Sequence, residues 1–105
     1  MAGNEDEAAR IGHALVEERL AACVNILGPA RSIYRWRDKI EDEREYLLVI
    51  KTRAGLYSKV ERRVHELHSY EVPEVVALPM ATASTPYLKW LLDSTVHVRR
   101  ASAIR

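Results

Sequence analysis

The residue types that can do chemistry gather in HSYEVPEVVALP, His68 to Pro79, where an imidazole, a phenol and a carboxylate stand against a proline and run into an apolar stretch. His65 and His68 stand at i and i+3, so one helical face would present two imidazoles, with Glu71 just beyond in a loop. Two imidazoles and a carboxylate are donors of the kind that zinc and copper take. The same residues suit a plainer role, because basic and hydrogen-bonding groups cap the negative end of a helix. Cys23 would add a soft donor favouring copper if it met His68 in space; equally, it reads as a small buried residue of a half-apolar strand. Lys51, Thr52 and Arg53 stand at a strand end, where they would either hold a phosphate against the next helix N-terminus or lie in solvent.

Tyr34 and Trp36 interleave with Arg31, Arg35 and Arg37. That pattern is open to a stacking platform for single-stranded nucleic acid. It fits a subunit interface better, since Tyr, Trp and Arg are favoured at buried protein contacts and long strands offer edges that need cover. The chain carries no nucleophile elbow, Gly-rich nucleotide loop, paired-cysteine zinc motif or recognisable catalytic triad, and the expectation is that it is not an enzyme.

These groups must be positioned by a chain of 105 residues with a formal net charge of +1, 48% hydrophobic and 30% charged. The expectation is a single domain over 1–105, with no electrostatic case for nucleic acid or for an anionic membrane. A lone cysteine excludes an intrachain disulfide and points to a reducing compartment. With neither a basic-then-apolar leader nor an apolar run of about 20 residues, cytoplasmic residence without membrane insertion is expected.

Asn4 to Glu7 is a capping-box-like N-x-x-E that opens a helix. Ala8, Ile11, Leu15 and Ala22 form its inner stripe with Gly12 allowing close approach, while Glu7, Arg10, Glu17 and Glu18 project outward. From Ala22 the period changes to two, a strand interrupted at Gly28-Pro29 and resumed from Ser32 to Arg37, with Ile33 opposite Tyr34 and Trp36. Polar DKIEDE, Asp38 to Glu43, reads as a hairpin tip, and Tyr46 to Thr52 as its second strand. A second helix carries Leu56, Val60, Val64 and Leu67 inward; Val72-Pro73 then enforces extended backbone and predicts a strand from Glu74 to Met80. Thr85-Pro86 starts a third helix with Tyr87, Leu88, Leu91 and Leu92 inward, and Val96 to Arg99 alternates as a short strand. The order predicts a two-layer α+β sandwich of the split βαβ, ferredoxin-like kind, βαββαβ with a short C-terminal helix. Its first strand has no room in Met1 to Gly3, because strands run about five or six residues.

ALVEERLAACVNI at Ala14 to Ile26, SIYRWRDKIEDEREYLLVIKT at Ser32 to Thr52, HSYEVPEVVALP, and YLKWLL at Tyr87 to Leu92 together resemble the CutA family of divalent-cation tolerance proteins, in order and spacing, over about Asn4 to Thr95. The resemblance implies a ferredoxin-like subunit that joins sheet edges in a tight homotrimer and is linked to copper tolerance and copper binding. It assigns metal binding to Cys23, His68, Tyr70 and Glu71, and packing within or between subunits to Tyr34, Trp36 and Trp90. A second implied reading is a regulatory or scaffolding trimer, built like the PII signalling proteins, that binds a small anionic ligand or a protein partner in subunit clefts; Tyr70, Lys51, Arg53 and Tyr87 would serve it. Ser69 stands where similar chains carry proline, adding an amide donor and freeing the backbone before Tyr70. The family's apolar first strand is also absent ahead of Asn4. The expectation is that the start lies upstream of Met1, or that the 96–99 segment, a neighbouring chain or a closed-up sheet fills that lane.

Overall fold

The computed structural model describes residues 1–96, so the strand expected at 96–99 lies, apart from Val96, outside the described residues. Helix α1 spans Glu5–Glu17, strands β1 and β2 span Cys23–Trp36 and Lys39–Lys51, a 3-10 turn at Ala54–Leu56 leads into α2 at Tyr57–Leu67, and α3 covers Thr85–Asp93. This is the expected α+β architecture, with helices laid on an antiparallel sheet in the ferredoxin-like manner.

Asn4 caps α1 as its type predicts: the Glu7 N–H donates to Asn4 Oδ1 at 2.7 Å, while the Glu7 carboxylate accepts from the Gly3 N–H at 3.5 Å. Glu7 is nonetheless buried, contrary to the outward position expected of it, because the loop after α2 closes over it. The helix stops at Glu17, short of the apolar run's end at Ala22, and Arg19 takes a positive φ of 60° in the turn to β1. Ile11, Leu15, Ala21, Leu56, Val60 and Val64 form the core, with Val24, Leu48 and Ile50 packed against it from the sheet. A Cβ on Gly12 would sit 3.2 Å from Val24 Cγ1, so glycine lets α1 approach β1. Full burial of each large apolar side chain here contributes about 1.5–3 kcal/mol.

The two strands pair from Cys23↔Lys51 to Trp36↔Lys39, with a register shift between Leu27 and Ala30. Gly28 stands in that bulge at φ +149°, where a Cβ would lie 2.9 Å from Tyr46 Cδ2. The expected polar tip is far shorter than Asp38 to Glu43. Arg37 and Asp38 alone turn the chain, at φ 51° and 66°, the left-handed pair that suits a two-residue hairpin, and β2 begins at Lys39.

Two further expectations change. Residues 74–80 form no strand and pair with none among the described residues, leaving Val76 and Leu78 71% and 87% exposed. Only Leu91 of the inner set expected on α3 is buried; Tyr87, Leu88 and Leu92 stand open to solvent. The N-cap of α3 is Ser84 rather than Thr85, with Pro86 in the first turn. At the front, Ala2 and Tyr46 exchange backbone hydrogen bonds of 2.8 and 2.7 Å in one antiparallel bridge. That pair starts a ladder on the β2 edge away from β1, and Leu48 and Ile50 present their N–H and C=O groups to the same side.

An alternating apolar segment of about six residues joined ahead of Met1 is expected to continue this ladder. The melting temperature should rise by about 4–8 °C for each kcal/mol gained, with slowed amide exchange at Leu48 and Ile50. Unchanged melting and exchange would mean that the edge takes no strand.

Candidate functional site

The polar residues of the 68–71 loop meet the front of the chain. His68 leaves the helix at φ −84° and ψ 142°, its N–H still bonded to the Val64 carbonyl at 2.8 Å. It therefore does not share a helical face with His65, which is exposed on the last turn of α2. The His68 side chain is only 2% exposed. Its Nδ1 accepts the Tyr70 N–H at 3.0 Å and its Nε2 meets the Met1 carbonyl oxygen. A carbonyl can only accept, so Nε2 carries the hydrogen and both ring nitrogens are engaged.

Glu7 closes this cluster from α1. It accepts the Ser69 N–H at 3.2 Å and lies 3.8 Å from His68 Nδ1. The Ser69 amide, which a proline would not supply, thus binds the loop to α1. Burial pushes the Glu7 carboxyl up, but hydrogen bonding from Ser69, attraction to His68 and hydrogen bonding from Gly3 outweigh it, and the group stays below its ordinary value of 4.5.

Cys23 sits elsewhere, half-buried at the base of the hairpin. Its sulfur lies 3.9 Å from Lys51 Nζ and 3.8 Å from Asn25 Oδ1, and Lys51 Nζ also bonds Asn25 Oδ1. The neighbouring residues expected at a phosphate are engaged internally: Thr52 Oγ1 donates to the Leu20 carbonyl at 2.7 Å, and Arg53 Nε donates to Thr95 Oγ1 at 2.9 Å. Glu71 is exposed and pairs with Arg37 at 2.8 Å, and that guanidinium lies 5.4 Å from the centre of the Trp36 ring. Tyr87 packs against Trp90 on α3, with ring centres 5.5 Å apart.

Cys23, His68 and Glu71 thus have separate neighbours. Among the described residues, no three His, Cys, Asp or Glu side chains are grouped to hold a metal ion. A lysine ammonium beside the thiol, two engaged imidazole nitrogens and a carboxylate paired with arginine do not suit one divalent ion within a subunit.

The structure assembles a different feature, which residue types alone did not reveal. A groove of about 580 Å³ runs between the hairpin and the 70–74 segment, walled by Tyr34, Trp36 and Tyr70 and by Glu43, Glu45 and Glu74. The register pairs Ser32 with Glu43 and Tyr34 with Glu41, so aromatic residues of one strand stand beside carboxylates of the next on one face. Burial, a hydrogen bond to Glu45 and the charges around it push the Tyr70 phenol up to about 12. Burial and the carboxylates of Glu43, Glu45 and Glu41 also raise that of Tyr34. The alternation of Glu41, Glu43 and Glu45 was the available signal, but it acquires meaning only with the register.

A helix-covered antiparallel sheet with a long hairpin and an acidic, aromatic groove defines an α+β protein of the ferredoxin-like kind. The family model described as CutA1 divalent ion tolerance protein matches residues 1–94, and the chain belongs to that family. It is 49% identical over 92 residues to the divalent-cation tolerance protein CutA of Thermus thermophilus, covering 88% of this chain and 89% of that one. The chloroplastic CutA of Arabidopsis thaliana is 42% identical over 88% of this chain, which spans 50% of that relative's length. A solved structure of the Cut A1 divalent cation tolerance protein from Thermus thermophilus superposes with a TM-score of 0.87 at 47% identity, covering 90% of this chain and 92% of that one.

The depressed Glu7 carboxyl links folding to pH. Its folded value lies below its unfolded one, so its contribution is complete above about pH 4.5 and is lost as pH falls through the folded value. Glu7→Gln is expected to lower stability at pH 7 and to flatten the decline between about pH 5 and pH 3, as read by urea unfolding. An unchanged acid slope would remove Glu7 from that linkage.

Proposed function

We propose that this chain is a non-catalytic, self-assembling divalent-ion tolerance protein that works as a homotrimer. The observation that carries the reading is the apolar surface of the hairpin and α3: Ile33 and Ile40 are 64% and 62% exposed, and Trp36 and Trp90 are 39% and 45% exposed. Side chains of this kind on long open-edged strands suit burial against copies of the same chain. Tyr34, Trp36 and Trp90 are the residues we assign to that contact. The family's link to divalent ions supports cation binding, with copper as the ion and Cys23, His68 and Glu71 as donor positions. Because these residues are dispersed within a subunit, donors to one ion would have to come from different subunits. A cytoplasmic setting is proposed from the single Cys23 thiol; no helix among the described residues is long and apolar enough to cross a membrane. The reading of a trimer holding a small anion at Lys51, Tyr70 and Tyr87 is less favoured, since Lys51 is bonded to Asn25 and Tyr70 faces carboxylates.

Sedimentation at micromolar concentration is expected to give three times the subunit mass, with blue-shifted Trp emission that Trp36→Ala alters. A folded single subunit would overturn the assembly. Copper titration should show affinity lowered about tenfold or more by Cys23→Ala and by His68→Ala, on the scale of lost metal ligation. Unchanged affinity in both folded variants would remove these donors.

A further inference from the structure

The register beyond the bulge gives the outer half of the hairpin two unlike faces. On one, Tyr34 and Trp36 of β1 stand beside Lys39, Glu41 and Glu43 of β2; on the other, Ile33 and Arg35 stand beside Ile40, Asp42 and Arg44. Arg31 donates to both oxygens of Asp42, at 2.9 and 2.7 Å, and so occupies the carboxylate of the second face. Arg35 and Arg44 are exposed and have no ion-pair partner among the described residues, and the same is true of Glu43. Half-buried Glu41 has none either. One face therefore carries free carboxylates around aromatic rings, and the other carries free guanidinium groups around apolar side chains.

Apolar surface is open on both faces at once. Ile33 and Ile40 are 64% and 62% exposed on the basic face, and Tyr34 and Trp36 are 36% and 39% exposed on the acidic one. A two-fold contact, in which a patch meets its own copy, would cover one face and leave the other in water. It would also set Glu41 and Glu43 against carboxylates, or Arg35 and Arg44 against guanidinium groups. A contact between unlike faces covers both and brings opposite charges together, and repeated around a three-fold axis it closes a ring. Arginine against aromatic rings is a pairing that buried protein contacts favour. The subunit already makes one example, where Arg37 lies 5.4 Å from the centre of the Trp36 ring while pairing with Glu71 at 2.8 Å.

We propose that copies of this chain meet head-to-tail across the hairpin: the acidic aromatic face of one copy seats on the basic apolar face of the next, so that Glu41 and Glu43 meet Arg35 and Arg44. This deepens the homotrimer reading and rests on it, since assembly supplies the copies and the charges choose which faces meet.

The test is sedimentation of the whole protein over a dilution series. Reversing one face, by Arg35→Glu with Arg44→Glu or by Glu41→Arg with Glu43→Arg, gives each copy two faces of like sign. Either double variant is expected to raise the concentration at which trimers dissociate by about tenfold or more. The milder Arg35→Gln, Arg44→Gln variant removes charge without repulsion and is expected to fall between these and the wild type, so the readout does not depend on the reversed chains folding. All four reversals in one chain exchange the signs of the two faces and are expected to restore wild-type assembly, whereas damage to the fold would accumulate with each substitution. Mixed with wild type, that fourfold variant is expected to form trimers of its own kind in native mass spectrometry, because mixed contacts set like charges together. Wild-type dissociation in the reversed and neutral variants overturns the proposal. So does a fourfold variant that stays dissociated with wild-type circular dichroism, or free formation of mixed trimers. Wild-type trimers unaffected by reversal overturn the head-to-tail contact alone, and wild-type single subunits overturn the homotrimer reading with it.

Discussion

The bulge at Gly28-Pro29 decides which residues share a face. Before it, β1 residues pair with β2 partners whose numbers sum to 74, as in Cys23↔Lys51; after it the sum is 75, as in Ala30↔Glu45. One extra residue in β1 reverses the parity of everything beyond it. Without the shift, Tyr34 and Trp36 would lie on the same side as Val24, which α1 covers through Gly12. With it they lie on the side of Cys23 and Lys51, next to Glu41, Glu43 and Glu45. The helical core and the acidic groove are thus opposite faces of one sheet, kept apart by a glycine that alone tolerates the close approach of Tyr46 and the Glu45 carbonyl.

A second constraint ties the front of the chain to that sheet. Glu7 is held from α1, Ser69 and His68 come from the end of α2, and Met1 and Ala2 come from the start. A buried carboxylate is tolerable only when its acceptor sites are filled, and here backbone amides from two segments fill them. The ring of His68 performs the same service for the Tyr70 amide and the Met1 carbonyl. Residue types typical of metal sites are here joining segments, and the joint places Tyr70 over Glu45 at the end of the groove.

The features legible in the sequence were those encoded by nearest neighbours along one element. The N-cap at Asn4, the stripe of Leu56, Val60 and Val64, the change of period near Ala22 and the break at Gly28-Pro29 each depend on a few adjacent residues. What escaped depends on distant segments. The burial of Glu7 follows from a loop more than sixty residues away, and the turn at Arg37 and Asp38 was hidden because neither is glycine. The 74–80 segment has the β-branched residues of a strand, but a strand also requires a neighbour with matching backbone groups, and α3 exposes apolar residues for the same lack of a covering layer.

The candidate site was half legible for a related reason. Tyr34, Trp36, Tyr70 and Glu71 were recognisable as unusual residues, and all four line the groove. Cys23 and Lys51 share their sheet face but not their groove. Composition suggested donors for one soft ion; the geometry instead gives rings beside carboxylates and sets a lysine against the thiol. The two regions meet at Tyr70, whose phenol is kept protonated by burial and nearby negative charge and whose amide occupies the His68 nitrogen. Turning His68 toward a metal would release the Tyr70 amide and loosen the end of the groove, so a donor role for the imidazole requires the 68–70 loop to rearrange.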